Sequence, residues 1–179
     1  MKKVVKFGGS SLASAEQFKK VGAIIRSDAG RRFVVPSARG KRFDKDTKVT
    51  DMLYACYALA AEGKDFGREL RQIEQRYQEI IDGLELKLSL EKEFSLIREN
   101  FAGKAGKDYA ASRGEYLNGI VMANYLGYEF VDAAEVIVFC EDGSFDMDKT
   151  TEVLGERLKD MKNAVIPGFY GALPDGHVI

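Results

Sequence analysis

The sequence predicts an α/β fold with a mainly parallel sheet. Three observations carry this. Short apolar runs of strand length occur at residues 4–7, 33–35 and 164–166. Stretches with apolar residues three and four apart separate them. Glycine or proline stands at the end of each run. Strands joined by a helix of that length argue for parallel pairing through right-handed crossovers.

Each element has its own justification. Val4-Val5-Lys6-Phe7 reads as a strand and runs into Gly8-Gly9-Ser10-Ser11. A helix follows, with Phe18, Val21, Ile24 and Ile25 on its apolar face. Ser14 followed by Gln17 has capping-box spacing, and Asp28-Ala29-Gly30 ends the helix. Phe33-Val34-Val35 is a buried strand stopped by Pro36. Residues 37–50 form a long, polar, basic loop at a strand's C-terminal end, the usual place for ligands in open α/β sheets. Residues 51–61 read as helix. Residues 66–101 are mostly helical, with one stripe on Leu70, Ile73, Tyr77, Ile80 and Ile81 and another on Leu90, Phe94, Ile97 and Phe101. Leu84, Leu86, Leu88 and Leu90 alternate with period two, but the surrounding Glu and Lys favour helix there as well. Another helix is expected over 108–126, ended by Gly127. Short strands are expected at 128–131 and 136–139, a helix at 150–161 and a strand at 164–166. Pro174-Asp175-Gly176 is a turn, and His177-Val178-Ile179 reads as the start of a further strand.

Composition narrows the function classes. The 179 residues are 45% hydrophobic and 31% charged, with 18 Gly and 3 Pro, which excludes a disordered or collagen-like chain. No apolar run reaches the ~18 residues of a membrane span. Lysines interrupt the N-terminal apolar run, unlike a secretory signal. Cys56 and Cys140 sit in apolar surroundings and read as reduced core thiols of a cytoplasmic protein. With His177 the only histidine, histidine-based metal clusters are excluded. Residues 1–50 carry 13 basic against 4 acidic side chains, a net +9 in a chain whose total is −1. That points to an anionic ligand or to solvated lysines. Nucleic acid is the weaker choice, because no recognition motif accompanies the charge.

The strand–Gly-Gly-Ser-Ser–helix junction is the first candidate site. Glycines let backbone N–H groups converge on an anion, and a helix N-terminus behind them adds attraction. Lys6 adds a point charge. The alternative is a tight structural turn beside a surface lysine. Neither the P-loop pattern nor the dinucleotide fingerprint is present.

Lys6-Phe7-Gly8-Gly9-Ser10-Ser11 resembles the opening signature of aspartokinases, within the amino acid kinase superfamily. Val34-Val35-Pro36-Ser37-Ala38, Val49-Thr50-Asp51-Met52-Leu53, Ser112-Arg113-Gly114-Glu115, Asp132-Ala133-Ala134-Glu135-Val136-Ile137 and Ile166-Pro167-Gly168-Phe169-Tyr170-Gly171 resemble further segments of that family, in the family's order. The resemblance implies a three-layer α/β/α sandwich of the amino acid kinase (carbamate kinase-like) type, incomplete at the C-terminus. Residues 1–179 would be its N-terminal, amino-acid-binding part, with a helical insertion at about 66–105. The nucleotide-binding remainder and the regulatory domains would be absent. The implied activity is transfer of the ATP γ-phosphoryl group to the β-carboxylate of L-aspartate, opening aspartate-family (lysine and threonine) amino acid biosynthesis. By resemblance, Lys6 is the catalytic charge, and Lys6, Phe7, Gly8, Gly9 and Ser10 face the nucleotide. Ser37, Ala38, Thr50, Glu115 and Phe169 face the substrate, with Glu115 on the α-ammonium and Thr50 on a carboxylate. Mg2+ would be held through the nucleotide phosphates, with no protein metal site. Arg113 and Asp132 receive no role.

Two departures from the family stand out. Pro36 replaces an apolar strand residue, and the 39–48 loop is longer and more charged. The family's Arg-Gly-Gly-Ser-Asp segment, with its catalytic aspartate, is not in the sequence, so the chain alone is expected to be inactive. The full-length protein is expected to be a homo-oligomer. The alternatives are a related kinase acting on another carboxylate or on carbamate, and a binding module without catalysis.

Overall fold

The computed structural model describes all residues, 1–179. Four strands form one parallel sheet in the order β1-β2-β4-β3: β1 is Lys3–Phe7, β2 Arg31–Pro36, β3 Glu129–Phe130 and β4 Ala164–Val165. The helices are α1 (Ala15–Arg26), α2 (Val49–Ala61), α3 (Gly67–Gly83), α4 (Glu91–Ala102), α5 (Lys107–Leu126), the one-turn α6 (Ala133–Val136) and α7 (Met147–Leu158). None is long and apolar enough to cross a membrane.

Strand alternation makes the layers. Val34 and Val165 point into a core of 24 residues shared with α1 to α5, including Phe18, Leu53, Tyr77, Phe101 and Leu117. Phe33 and Ala164 point the other way, into a smaller cluster backed by Val136 of α6 and by Val153, Leu154 and Leu158 of α7. Helices thus flank both faces, as the sandwich reading requires. Ser14 caps α1 by accepting the Gln17 N–H at 3.3 Å. Gly127 ends α5 in the left-handed conformation, φ +69°.

Residues 84–90 are not helical. α3 stops at Gly83, where Glu85 takes φ +55° and the Leu86 N–H bonds back to the Ile81 carbonyl. Leu84 and Leu90 are buried and Leu86 and Leu88 half-buried, while Glu85, Lys87 and Ser89 are exposed. The period-two alternation was therefore the correct signal: an extended segment turns every second leucine inward. The strand expected at 136–139 is also displaced. Asp132 accepts the Ala134 N–H and winds 133–136 into α6, leaving Val138 and Phe139 in isolated bridges. Residues 171–179 form a hairpin through Pro174-Asp175-Gly176, with Gly171 and Ile179 exchanging N–H···O bonds.

Cys56 is fully buried on α2, and burial pushes its thiol up to about 12. Cys140 is only half-buried. Native protein at pH 8 is expected to take up one equivalent of a thiol reagent quickly, at Cys140, and the second only on unfolding. Mass spectrometry of the labelled peptides checks this; equal rates at both cysteines would contradict the buried placement.

Candidate active site

The strand ends build the site. β1 ends at Phe7, β2 ends at Pro36, and the Ser37 N–H still bonds to the Phe7 carbonyl at 3.0 Å. The two following loops lie against each other. The Gly40 N–H donates to the Gly9 carbonyl at 2.9 Å. A Cβ on Gly9 would sit 2.6 Å from the Ala38 carbonyl oxygen, and one on Gly40 would sit 2.6 Å from the Gly9 carbonyl carbon. Gly9 is thus required by backbone contact inside the protein. Gly8 differs: a Cβ there meets nothing within 4 Å. It is the glycine that leaves room for something outside the chain.

The helix expected directly behind the glycines is displaced. Gly9–Leu12 is a short 3-10 turn, and α1 begins at Ala15, capped by its own Ser14. The N-terminus of α1 therefore does not stand directly behind the glycines. Lys6 is exposed and pairs in register with Val35. Parallel partners share a face, so Lys6 lies on the Phe33 and Val35 side of the sheet.

On the other side stands α5. Its Gly114 brings the helix close to the loop after β2; a Cβ there would lie 2.8 Å from the Ala38 Cβ. The next residue, Glu115, accepts the Ala38 N–H through Oε1 at 3.1 Å in a buried contact. Its other oxygen, Oε2, is buried without a partner. One turn on, Asn118 donates Nδ2–H to the Ser37 carbonyl at 2.7 Å, which fixes its orientation. The Asn118 Oδ1 is likewise buried without a donor. Residues three apart share a helix face. Two buried acceptors on that face therefore have no donor within the chain. Desolvation raises the Glu115 carboxyl above its ordinary value, partly offset by the Ala38 N–H and by Arg113. Tyr77 supports the helix by donating to the Gly114 carbonyl at 3.0 Å.

Thr50 is half-buried in the first turn of α2, whose N-cap, Lys48, supplies no side-chain cap. The Val49 N–H of that turn bonds to the Arg39 carbonyl at 3.3 Å, and the two N–H groups after it suit a carboxylate. Ser37 and Ala38 thus meet Asn118 and Glu115 of α5 at the start of the 37–50 loop, and Thr50 stands at its other end. Phe169 does not join them. Its ring is 79% exposed, its φ is +80°, and it borders an apolar groove with Val4, Val35 and Phe139. Phe169 forms no wall beside Glu115 here: it is exposed and borders the groove on the Phe33 and Val35 side of the sheet.

The basic segment also turns out differently from its charge count. Arg39 is only 2% exposed and donates to the Ala13 carbonyl, while Arg76, outside that segment on α3, is 5% exposed and likewise donates to backbone carbonyls. Part of the +9 is therefore spent inside the protein. Asn118 and Arg76 were missed by the sequence reading; Asn118 had one signal, its spacing of three from Glu115. No cluster of three or more His, Cys, Asp or Glu able to hold a metal occurs.

The chain matches known proteins over its whole length. The pattern of the amino acid kinase family matches residues 1–179. Aspartokinase 3 of Bacillus subtilis (strain 168) is 35% identical over 192 aligned residues, which cover 99% of this chain and 42% of that protein. The crystal structure of Clostridium acetobutylicum aspartate kinase superposes with a TM-score of 0.96 at 49% identity, covering 99% of this chain and 41% of that one. E. coli aspartokinase III, crystallised with aspartate and ADP, gives a TM-score of 0.77 at 22% identity, a likeness of fold; 99% of this chain and 43% of that one are covered. The chain spans about two fifths of the length of these relatives. With the family pattern running from Met1 to Ile179 over strand ends and loops arranged as in a solved aspartate kinase, the chain belongs to the amino acid kinase family.

Proposed function

We propose that residues 1–179 form the amino-acid-binding part of an ATP-dependent aspartate kinase of the cytoplasm. The observation that carries this is the pair of unpartnered buried acceptors, Glu115 Oε2 and Asn118 Oδ1, behind Ser37 and Ala38. An α-ammonium group supplies the donors they lack, in charge-assisted bonds. Thr50 and the open first turn of α2 hold a substrate carboxylate, and Ser37 and Ala38 line the space between. The similarity to the Clostridium acetobutylicum aspartate kinase, at 49% identity, supports aspartate as the amino acid.

In the reaction, a β-carboxylate oxygen attacks the γ-phosphorus of ATP, the bond to the β,γ-bridging oxygen breaks, and ADP leaves. Such transfers need alignment and charge neutralisation more than covalent help. Lys6 stabilises charge on the transferring group, and the backbone about Gly8, Gly9 and Ser10 hydrogen-bonds phosphate oxygens. Mg2+ bound to the nucleotide supplies further neutralisation. Phe169, on its outward turn, lies on the Lys6 side rather than against the amine.

Calorimetric titration of the chain with L-aspartate tests the reading. Saturable binding of L-aspartate, with succinate (the same dicarboxylate without the amine) binding at least about tenfold more weakly, is the expected result. Equal affinity for the two would sink the assignment of Glu115 and Asn118 to an ammonium group.

A further inference from the structure

Two buried arginines hold the substrate-facing loop in place. Arg39 donates Nε–H to the Ala13 carbonyl at 2.8 Å and a terminal N–H to the Arg76 carbonyl in the middle of α3. Arg76 reaches back, donating to the Thr47 carbonyl, to the Gly40 carbonyl at 3.3 Å and to Asp46 at 3.0 Å. Asp46 also accepts the Arg42 N–H at 2.9 Å and the Arg42 guanidinium at 2.8 and 3.0 Å. Glu79 closes the set, 3.2 Å from Arg42 and 4.0 Å from Arg39. The loop is thus tied to α3 near its start (Gly40) and near its end (Asp46, Thr47). Through Ala13, Arg39 ties it to the segment that follows the Gly8-Gly9 turn.

The surroundings are expensive for charge. Desolvation and the mutual repulsion of the two guanidiniums lower Arg39 to about 10, and Arg76 is lowered chiefly by burial. The Arg42 hydrogen bonds hold the Asp46 carboxyl far below its ordinary value. A surface loop needs no such arrangement; glycine-rich or shorter connections would cross the same gap. The forked geometry of arginine is what allows one side chain to bind two or three segments at once.

We infer that Arg39 and Arg76 are positioning residues, which fix the 38–49 loop against α3 and against the Gly8-Gly9 turn and so set the places of Ala38 and Thr50 in the site. The inference rests on the aspartate-site reading for the role of Ala38 and Thr50, but the clamp itself is tested without ligand. Arg39→Lys and Arg76→Lys keep the charge and lose the fork. Hydrogen exchange followed by NMR is read at the amides of Ala38, Gly40, Arg42 and Val49, each of which bonds within or next to the loop. Either substitution is expected to speed exchange at these amides by about tenfold or more, the loss of one hydrogen bond to a charged group. Exchange in the buried middle of α5 (Leu117, Val121) stays unchanged, and L-aspartate affinity falls about tenfold. Lys3→Ala, which removes an exposed pair with Asp28, is expected to change neither reading. If a lysine variant fails to fold, Asp46→Asn weakens the same clamp more gently and is read in the same way. Unchanged loop protection, or an equal loss of protection in the loop and in α5, overturns the inference. So does a loosened loop with unaltered aspartate affinity. If the parent chain binds no aspartate, the kinase reading fails, and the exchange pattern alone then decides the clamp.

Discussion

Glu115→Gln is expected to weaken L-aspartate binding about 10–100-fold, the equivalent of about 1.5–3 kcal/mol for a hydrogen bond to a charged group. The substitution is chosen for what it keeps. The glutamine oxygen still accepts the Ala38 N–H, so the loop stays docked on α5. Only the negative charge facing the ammonium is removed. The ligand-free protein should respond in the opposite direction. Burial raises the Glu115 carboxyl in the fold above its ordinary value near 4.5. Between those two values the folded chain holds a proton that the unfolded chain has lost, so stability falls as pH rises through that window. Above that window the buried carboxyl is therefore a burden, and Glu115→Gln should melt higher than the parent at pH 7 and lose that part of the pH dependence. Thermal unfolding at pH 4 and pH 7, with calorimetry on L-aspartate, checks both halves. A variant that melts lower at pH 7 and still binds aspartate normally would remove Glu115 from the site.

The two glycines of the first turn should separate cleanly. Gly9→Ala drives a Cβ to 2.6 Å from the Ala38 carbonyl oxygen and 3.1 Å from the Gly40 nitrogen. Both are backbone atoms, so neither can swing aside. Overpacking of this kind costs about 1–3 kcal/mol, and each kcal/mol lowers the midpoint by about 2–4 °C in a chain of this size. Gly8→Ala meets nothing within 4 Å, and its φ of −77° suits any residue. Its stability should stay within about 0.5 kcal/mol of the parent. The fold itself has no objection to a methyl group at Gly8. Melting curves of the two variants test this pairing; a Gly9→Ala protein as stable as Gly8→Ala would refute the close contact of the two loops.

How much of this was legible beforehand depends on the range of the interaction. The β–turn–α–β opening, the inward stripes of α3 and α4 and the Ser14 cap follow from residues within a turn or two of one another. So does the Gly127 stop. The resemblance of six segments brought the family and most of the candidate residues. Where local signals competed, the reading went wrong. At 84–90 the helical composition outweighed a period-two alternation that the folded chain honours, because Glu85 leaves the helical region and the leucines must still reach the core. At 133–136 an aspartate cap overrode an apolar run.

The sequence by itself determined the class of fold, the strand ends that frame the candidate site, and Glu115 as the carboxylate to watch. All of these rest on periodicity, on turn chemistry or on matched motifs along the chain. Only the tertiary structure decided what the charges face. Arg39 and Arg76 are 37 positions apart in sequence and meet across a loop and a helix. A composition count places Arg39 in a basic segment and Arg76 in an acidic remainder, while in the fold the two are spent on carbonyls and on Asp46. The same holds for Gly9 against Gly8, and for Asn118. Whether a glycine is needed, or an amide oxygen is left without a donor, depends on which backbone comes within 3 Å of it, and that is fixed only when distant segments pack.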